Sequence, residues 1–191
     1  MRHLTGCLVM LALTAASANA QVEIAYDDGT AETGIVWETP RNGVAVRFTA
    51  PGCVLTGAKF FTLLVTSWYP VGYCVLDANG PGGAPGDTLL GYSEVPLERT
   101  HAYQEATFPA PITVPHADFY VVYLQTSAVR FDSNVYGIDT SSSPDGRSWL
   151  FQGGVWSLMA PSQGDVMIRA LVLQPVPTEI QTWGALKGTY R

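Results

Sequence analysis

The chain has 191 residues, 47% of them apolar, with 10 Lys and Arg against 16 Asp and Glu for a formal net charge of −6. That length suits one core rather than several, and the acidic balance excludes the clustered basic surface that nucleic acid or anionic lipid requires. Residues 1–20 read as an export signal. Arg2 and His3 form a short basic start, Leu8-Val9-Met10-Leu11-Ala12-Leu13 is apolar, and Ala18-Asn19-Ala20 offers small residues at the cleavage positions. Cleavage after Ala20 leaves Gln21 at the mature start and a charge of −7, because Arg2 leaves with the signal. The apolar run is shorter than the roughly 20 residues a transmembrane helix needs, and no later segment reaches that length, so no membrane span is expected. Leu4-Thr5-Gly6-Cys7 has the form of a lipoprotein box, but it precedes the apolar run it would have to follow. The expectation is a secreted or extracellular protein, in the periplasm or at the cell surface if it is retained.

Between Gly and Pro breakers lie runs of Val, Phe, Tyr, Leu and Thr with no sustained helical period, which is the pattern of short strands. Strands are predicted near 22–26, 43–49, 55–65, 71–77, 87–92, 104–109, 118–125, 147–152 and 165–173. Val44, Val46 and Phe48 alternate with Ala45 and Arg47, which turns one face inward. Phe119-Tyr120-Val121-Val122-Tyr123-Leu124 is apolar on both faces and predicts a central strand. The Gly- and Pro-rich stretch 79–86 and the segment 141–146 are turns by composition. The fold class is all-β, an antiparallel β-sandwich of jelly-roll type over residues 21–174.

Cys53 and Cys74 are the cysteines left after cleavage. An exported pair invites a disulfide, whereas a simple hairpin of 55–65 with 71–77 sets Leu63 opposite Cys74, beyond disulfide reach of Cys53. A bridge and two buried thiols both remain open. Pro175 and Pro177 stop the last strand, and residues 175–191 form a linker and tail. There Trp183, Leu186 and Tyr190 fall at helical spacing behind Thr182 as a cap. This tail is expected either to pack on the sandwich or to serve as a sorting or assembly element.

Several segments in order resemble a known domain: Tyr26-Asp27-Asp28-Gly29-Thr30-Ala31-Glu32, Val44-Ala45-Val46-Arg47-Phe48-Thr49, Leu55-Thr56-Gly57-Ala58-Lys59-Phe60, Val75-Leu76-Asp77-Ala78-Asn79-Gly80, Asp118-Phe119-Tyr120-Val121, Arg147-Ser148-Trp149 and Gly164-Asp165-Val166-Met167-Ile168-Arg169-Ala170. Over about 22–173 the chain is similar to an uncharacterised β-sandwich accessory domain that recurs in secreted bacterial proteins, often beside peptidases or C-terminal sorting domains. The resemblance implies an accessory role and carries no catalytic or ligand residues with it.

Two groups of residues are candidates for binding. Asp27, Asp28 and Glu32 follow the first strand and Asp165 opens the last. First and last strands of a jelly roll often neighbour one another, so these four acids are expected to converge as oxygen ligands for a structural Ca²⁺, or else to be solvated turn residues. Asp77-Ala78-Asn79-Gly80 with Asp87 is a weaker acidic loop that lacks EF-hand spacing. Trp68 and Tyr69, in a turn, with Trp149 and Trp156 near strand ends, are candidates for stacking on a polysaccharide, or for closing the ends of the core. His116-Ala117-Asp118 has the form of half a catalytic triad, but no nucleophile or metalloprotease motif accompanies it. The sequence therefore favours a non-catalytic module that binds a polysaccharide or a cell-surface protein, ahead of a small secreted hydrolase.

Overall fold

The computed structural model describes residues 19–37, 39–64, 69–125 and 135–175. The chain divides into one unit of Gln21–Gln174 and another of Met1–Ala20 with Pro175–Arg191. The first is the subject below. Residues 1–18 of the expected export signal, the tail around Trp183, and Trp68 lie outside the described residues, whereas Asn19 and Ala20 fall in the first strand.

One sheet contains β1 (Asn19–Ile24), β2 (Thr33–Ile35), β4 (Val54–Leu64), β7 (Ala102–Thr113), β9 (Val135–Asp139), β12 (Asp165–Val166) and β13 (Ile168–Pro175). Their order is β1-β13-β4-β9-β12, with β2 on β9 and β7 on β4. The second runs in the order β11 (Val155–Leu158), β10 (Ser148–Gln152), β3 (Gly43–Thr49), β8 (Asp118–Leu124), β5 (Val71–Asp77) and β6 (Thr88–Val95). Every pairing with a described register is antiparallel. The protein is an all-β antiparallel sandwich.

Period-2 alternation builds the interior. Val44, Val46 and Phe48 of β3, Val71, Tyr73 and Val75 of β5, and Phe119, Val121 and Tyr123 of β8 meet Phe60 of β4 and Ile168, Ala170 and Val172 of β13 in one buried cluster. A fully buried side chain of this size contributes about 1.5–3 kcal/mol. Strand β8 lies between β3 and β5, as its two-faced apolar run predicts. Its alternate residues Tyr120 and Val122 join Ala45 and Cys74 in a second buried cluster on the outer face, packed by Leu76, Leu124, Trp149 and Trp156.

Two expectations are corrected, on the β4–β5 hairpin and on the number of strands, and of the two cysteine alternatives the structure has the buried thiols. Strands β4 and β5 do not form a hairpin, because they belong to different sheets. Their aromatic faces meet across the interior instead, with the Phe60 and Tyr73 rings 5.7 Å apart. Cys53 and Cys74 are both buried and free. Cys53 faces the main core and Cys74 the outer cluster, so the second sheet separates their environments. Strands β2, β9 and β11 arise where none was predicted. β2 has three residues, and Gly137 interrupts the apolar run of β9. The β10–β11 hairpin turns on Gly153 and Gly154, both at positive φ, a Gly-Gly signal that was legible in the sequence.

Candidate functional site

The four acids expected at one metal site separate into three environments. β1 does neighbour β13, but Asp27 there meets Arg169 rather than Asp165. Its side chain is 1% exposed and accepts from Arg169 Nε at 3.1 Å and from the Tyr103 hydroxyl at 2.6 Å. The Arg169 guanidinium stacks 4.3 Å from the Tyr103 ring centroid and also pairs with Glu23 at 2.7 Å. Bonding to Asp27 pushes the Arg169 pKa up despite burial.

Asp28 and Glu32 instead approach Asp139, an acid the sequence reading did not select; one oxygen from each lies within 4.8 Å of the others. These oxygens already accept protein hydrogens. Asp139 takes the amides of Asp28 (3.0 Å), Ser141 (2.9 Å) and Ser142 (2.9 Å) and the hydroxyls of both serines. Asp28 takes the Thr30 amide and hydroxyl, and Glu32 the Thr140 amide at 2.8 Å. Burial pushes the Asp139 pKa up, but these bonds outweigh it and hold the carboxyl well below its usual range. The cluster ties the loop after β1 to the loop after β9.

Asp165 is elsewhere. It lies on β12, which pairs with β9 rather than continuing β13 along β4. It is 3% exposed, and its carboxyl meets Ser148 Oγ at 3.4 Å while Oδ2 has no hydrogen-bond partner.

A groove opens on the outer face of the second sheet, about 560 Å³ in volume and lined by Pro40, Arg41, Tyr92, Glu94, Leu124, Gln125 and Phe151. The register explains it. Phe151 of β10 lies opposite Gly43, Gly43 opposite Leu124, Leu124 opposite Gly72 and Gly72 opposite Glu94, so two glycines leave the floor low across five strands. A Cβ at Gly43 would stand 2.3 Å from the Tyr123 carbonyl and 2.9 Å from Leu124 Cδ2. Phe151 packs against Trp156 at 4.9 Å, and Tyr92, 52% exposed at the other end, donates to Glu94. The Arg41 rim is held in place: its φ is +65°, its amide bonds Gln125 O at 3.1 Å, and the Gln125 side chain clamps both the amide (2.9 Å) and the carbonyl (2.8 Å) of Trp37. A non-glycine residue held at positive φ costs energy that only a tight surround sustains.

Of the predicted aromatics, Trp149 and Trp156 both belong to this outer face. Trp149 is packed edge-on against Tyr120 at 5.9 Å. Tyr69 is 40% exposed and lines no part of the groove. Tyr92, Phe151 and Arg41 were not selected from the sequence. Their convergence depends on β6 and β10 falling in one sheet, three strands apart, which no local signal encodes.

The half-triad reading changes partners. His116 Nδ1 bonds Asp77 Oδ2 at 2.8 Å, whereas Asp118 pairs with Arg47, whose Nε lies 3.1 Å away. Among the described residues no serine or threonine hydroxyl is bonded to the imidazole of His116. The Asn79–Asp87 loop closes on itself through Asn79 Nδ2 to Asp87 at 2.8 Å and the Asp87 amide to Asn79 at 2.9 Å.

Comparison with known proteins gives two similarities. Bacillopeptidase F of Bacillus subtilis (strain 168) is 33% identical over 159 residues, which takes in 78% of this chain; the chain spans 11% of that protein. The crystal structure of the cysteine protease and lectin-like domains of Cwp84, a surface layer associated protein of Clostridium difficile, superposes with a TM-score of 0.52 at 12% identity, over 71% of this chain and 32% of that one. No family model matches the chain.

Proposed function

We propose that this chain is a non-catalytic extracellular module that binds a polysaccharide along the Arg41–Tyr92–Phe151 groove. The carrying observation is the groove itself, whose volume of about 560 Å³ falls in the range of ligand sites. Its ends carry flat aromatic faces, Phe151 with Trp156 at one and Tyr92 at the other. Glu94 and Arg41 supply a carboxylate and a guanidinium between and beside them. Sugar rings offer apolar faces for stacking and hydroxyls for those polar groups. Likeness to a segment of a peptidase, and in fold to a chain of cysteine protease and lectin-like domains, supports an accessory binding role in an exported bacterial protein. A structural Ca²⁺ held jointly by Asp27, Asp28, Glu32 and Asp165 is not part of this reading, because those carboxylates lie apart.

The test is a glycan array followed by calorimetric titration of any polysaccharide retained. Tyr92→Ala and Phe151→Ala are expected to weaken binding at least tenfold with unchanged melting temperature, because both side chains line the open groove. Binding that survives both substitutions overturns the reading. Absence of any glycan ligand, together with retention of a cell-surface protein lost in the same variants, assigns the groove to a protein partner.

A further inference from the structure

Most basic side chains among the described residues are already paired with acids. Arg47 meets Asp118, Lys59 meets Glu23, Arg147 meets Asp145, and Arg169 meets both Asp27 and Glu23. Arg41 and Arg99 have no acid partner among the described residues. Arg99 lines a separate polar cleft that it shares with Glu98 and Glu105. Arg41 is exposed and lines the groove on the outer face of the second sheet. The carboxylate of that groove, Glu94, accepts the Tyr92 hydroxyl and forms no ion pair with Arg41.

The backbone at Arg41 makes its residue type informative. A φ of +65° lies in the left-handed region, where glycine is the residue that fits without strain. The turn is nevertheless fixed on both sides. Buried Asn42 donates through Nδ2 to Thr39 O at 3.0 Å and to Thr39 Oγ1 at 2.9 Å. The Arg41 amide donates to Gln125 O at 3.1 Å, and the Gln125 amide donates to Asn42 O at 2.8 Å. Strain held this firmly collects where a side chain has a task. For an uncompensated guanidinium at the edge of a groove, that task is to hold an anion.

We propose that the polysaccharide of this groove is an acidic one, whose carboxylate or phosphate group is held by the Arg41 guanidinium. This rests on the groove reading above. The planar fork of a guanidinium matches two oxygens of such an anion and bonds them in parallel. Phe151 and Tyr92 supply the stacking faces, Glu94 accepts sugar hydroxyls, and Arg41 reads the charge. The chain is acidic overall, with a formal charge of −6, and Glu94 shares the groove with Arg41. One anion per bound stretch is therefore matched, rather than a densely charged polymer.

The test is an array holding acidic glycans beside their neutral counterparts. Calorimetric titration follows with polygalacturonate, its carboxyl-reduced neutral form and a phosphomannan. The acidic form is expected to bind about tenfold more tightly than its neutral counterpart, and the margin should shrink at about 0.5 M salt. R41Q should abolish the margin. R99Q, which removes the same charge outside the groove, should keep it. R41G should also abolish it while melting no lower than wild type, because glycine relieves the left-handed backbone. A margin for polygalacturonate assigns the anion as carboxylate, and one for the phosphomannan assigns it as phosphate. The inference is overturned if neutral glycans bind as tightly as acidic ones, if the margin survives R41Q, or if R99Q removes it equally. Equal binding of both forms that is still lost in Tyr92→Ala and Phe151→Ala keeps the groove as a polysaccharide site and removes only its preference for acid. Retention of no glycan at all overturns both readings.

Discussion

Asp139 and Asp165 stand opposite one another in the β9–β12 register, both buried, and their carboxyls are driven in opposite directions. Burial raises both pKa values. Donors from Ser142, Asp28 and Ser141 reverse that effect at Asp139, whereas the neighbouring Asp145 adds to it at Asp165, which is pushed up to about 6.

This contrast gives stability a defined pH dependence. A carboxyl whose folded pKa lies above its unfolded value stabilises the fold below the unfolded pKa, and the contribution is lost as pH rises through the folded one. Asp165 should therefore cost the protein about 1–3 kcal/mol between roughly pH 4 and pH 6. D165N should remove that fall. Asp139 works in the other direction: its contribution is present above the unfolded pKa and is lost as pH falls well below it. Denaturant midpoints across this range, with and without D165N, check both signs.

The Asp27–Arg169 pair is a structural tie. Asp27→Asn leaves a guanidinium with an 18% exposed side chain stacked on Tyr103 without its main counter-ion. Breaking one side of a buried pair costs about 3–5 kcal/mol. Urea denaturation should show the loss, with the sheet signature in circular dichroism retained at low denaturant.

Gly43→Ala tests the groove floor. Its Cβ would collide with the Tyr123 carbonyl, which cannot rotate away, and with Leu124. Overpacking of this kind costs about 1–3 kcal/mol. The variant is expected to melt lower and to bind ligand more weakly than its stability loss explains.

Cys53 and Cys74 should be silent in the native state. Burial raises both pKa values, that of Cys74 to about 12. Thiol reagent at mildly alkaline pH should leave the folded protein unlabelled and modify both residues in denaturant. Intact mass should not change on reduction.

Strand identity was legible wherever a side-chain pattern repeats over five or more residues. Val44-Ala45-Val46-Arg47-Phe48 and Phe119–Leu124 announced an inward-facing strand and a central one, and period 2 alone carries that information. Local chemistry also marked the Gly153-Gly154 turn, although β11 was overlooked. Partnership was not legible. Two neighbouring runs such as 55–65 and 71–77 pair as a hairpin or face each other across a core with the same sequence, and packing of Phe60 on Tyr73 decided for the core. The same limit applied to the acids. Asp27, Asp28 and Asp165 were identifiable as candidates by residue type, but whether a carboxylate meets an arginine, a ring of amides or an empty wall depends on long-range register. The one-residue break at Met167 between β12 and β13 shifts Asp165 from the β4 pairing to β9. The sequence by itself determined the strands and their faces, because those follow from neighbours along the chain; only the tertiary structure decided which charges meet, because that follows from neighbours across the sheets.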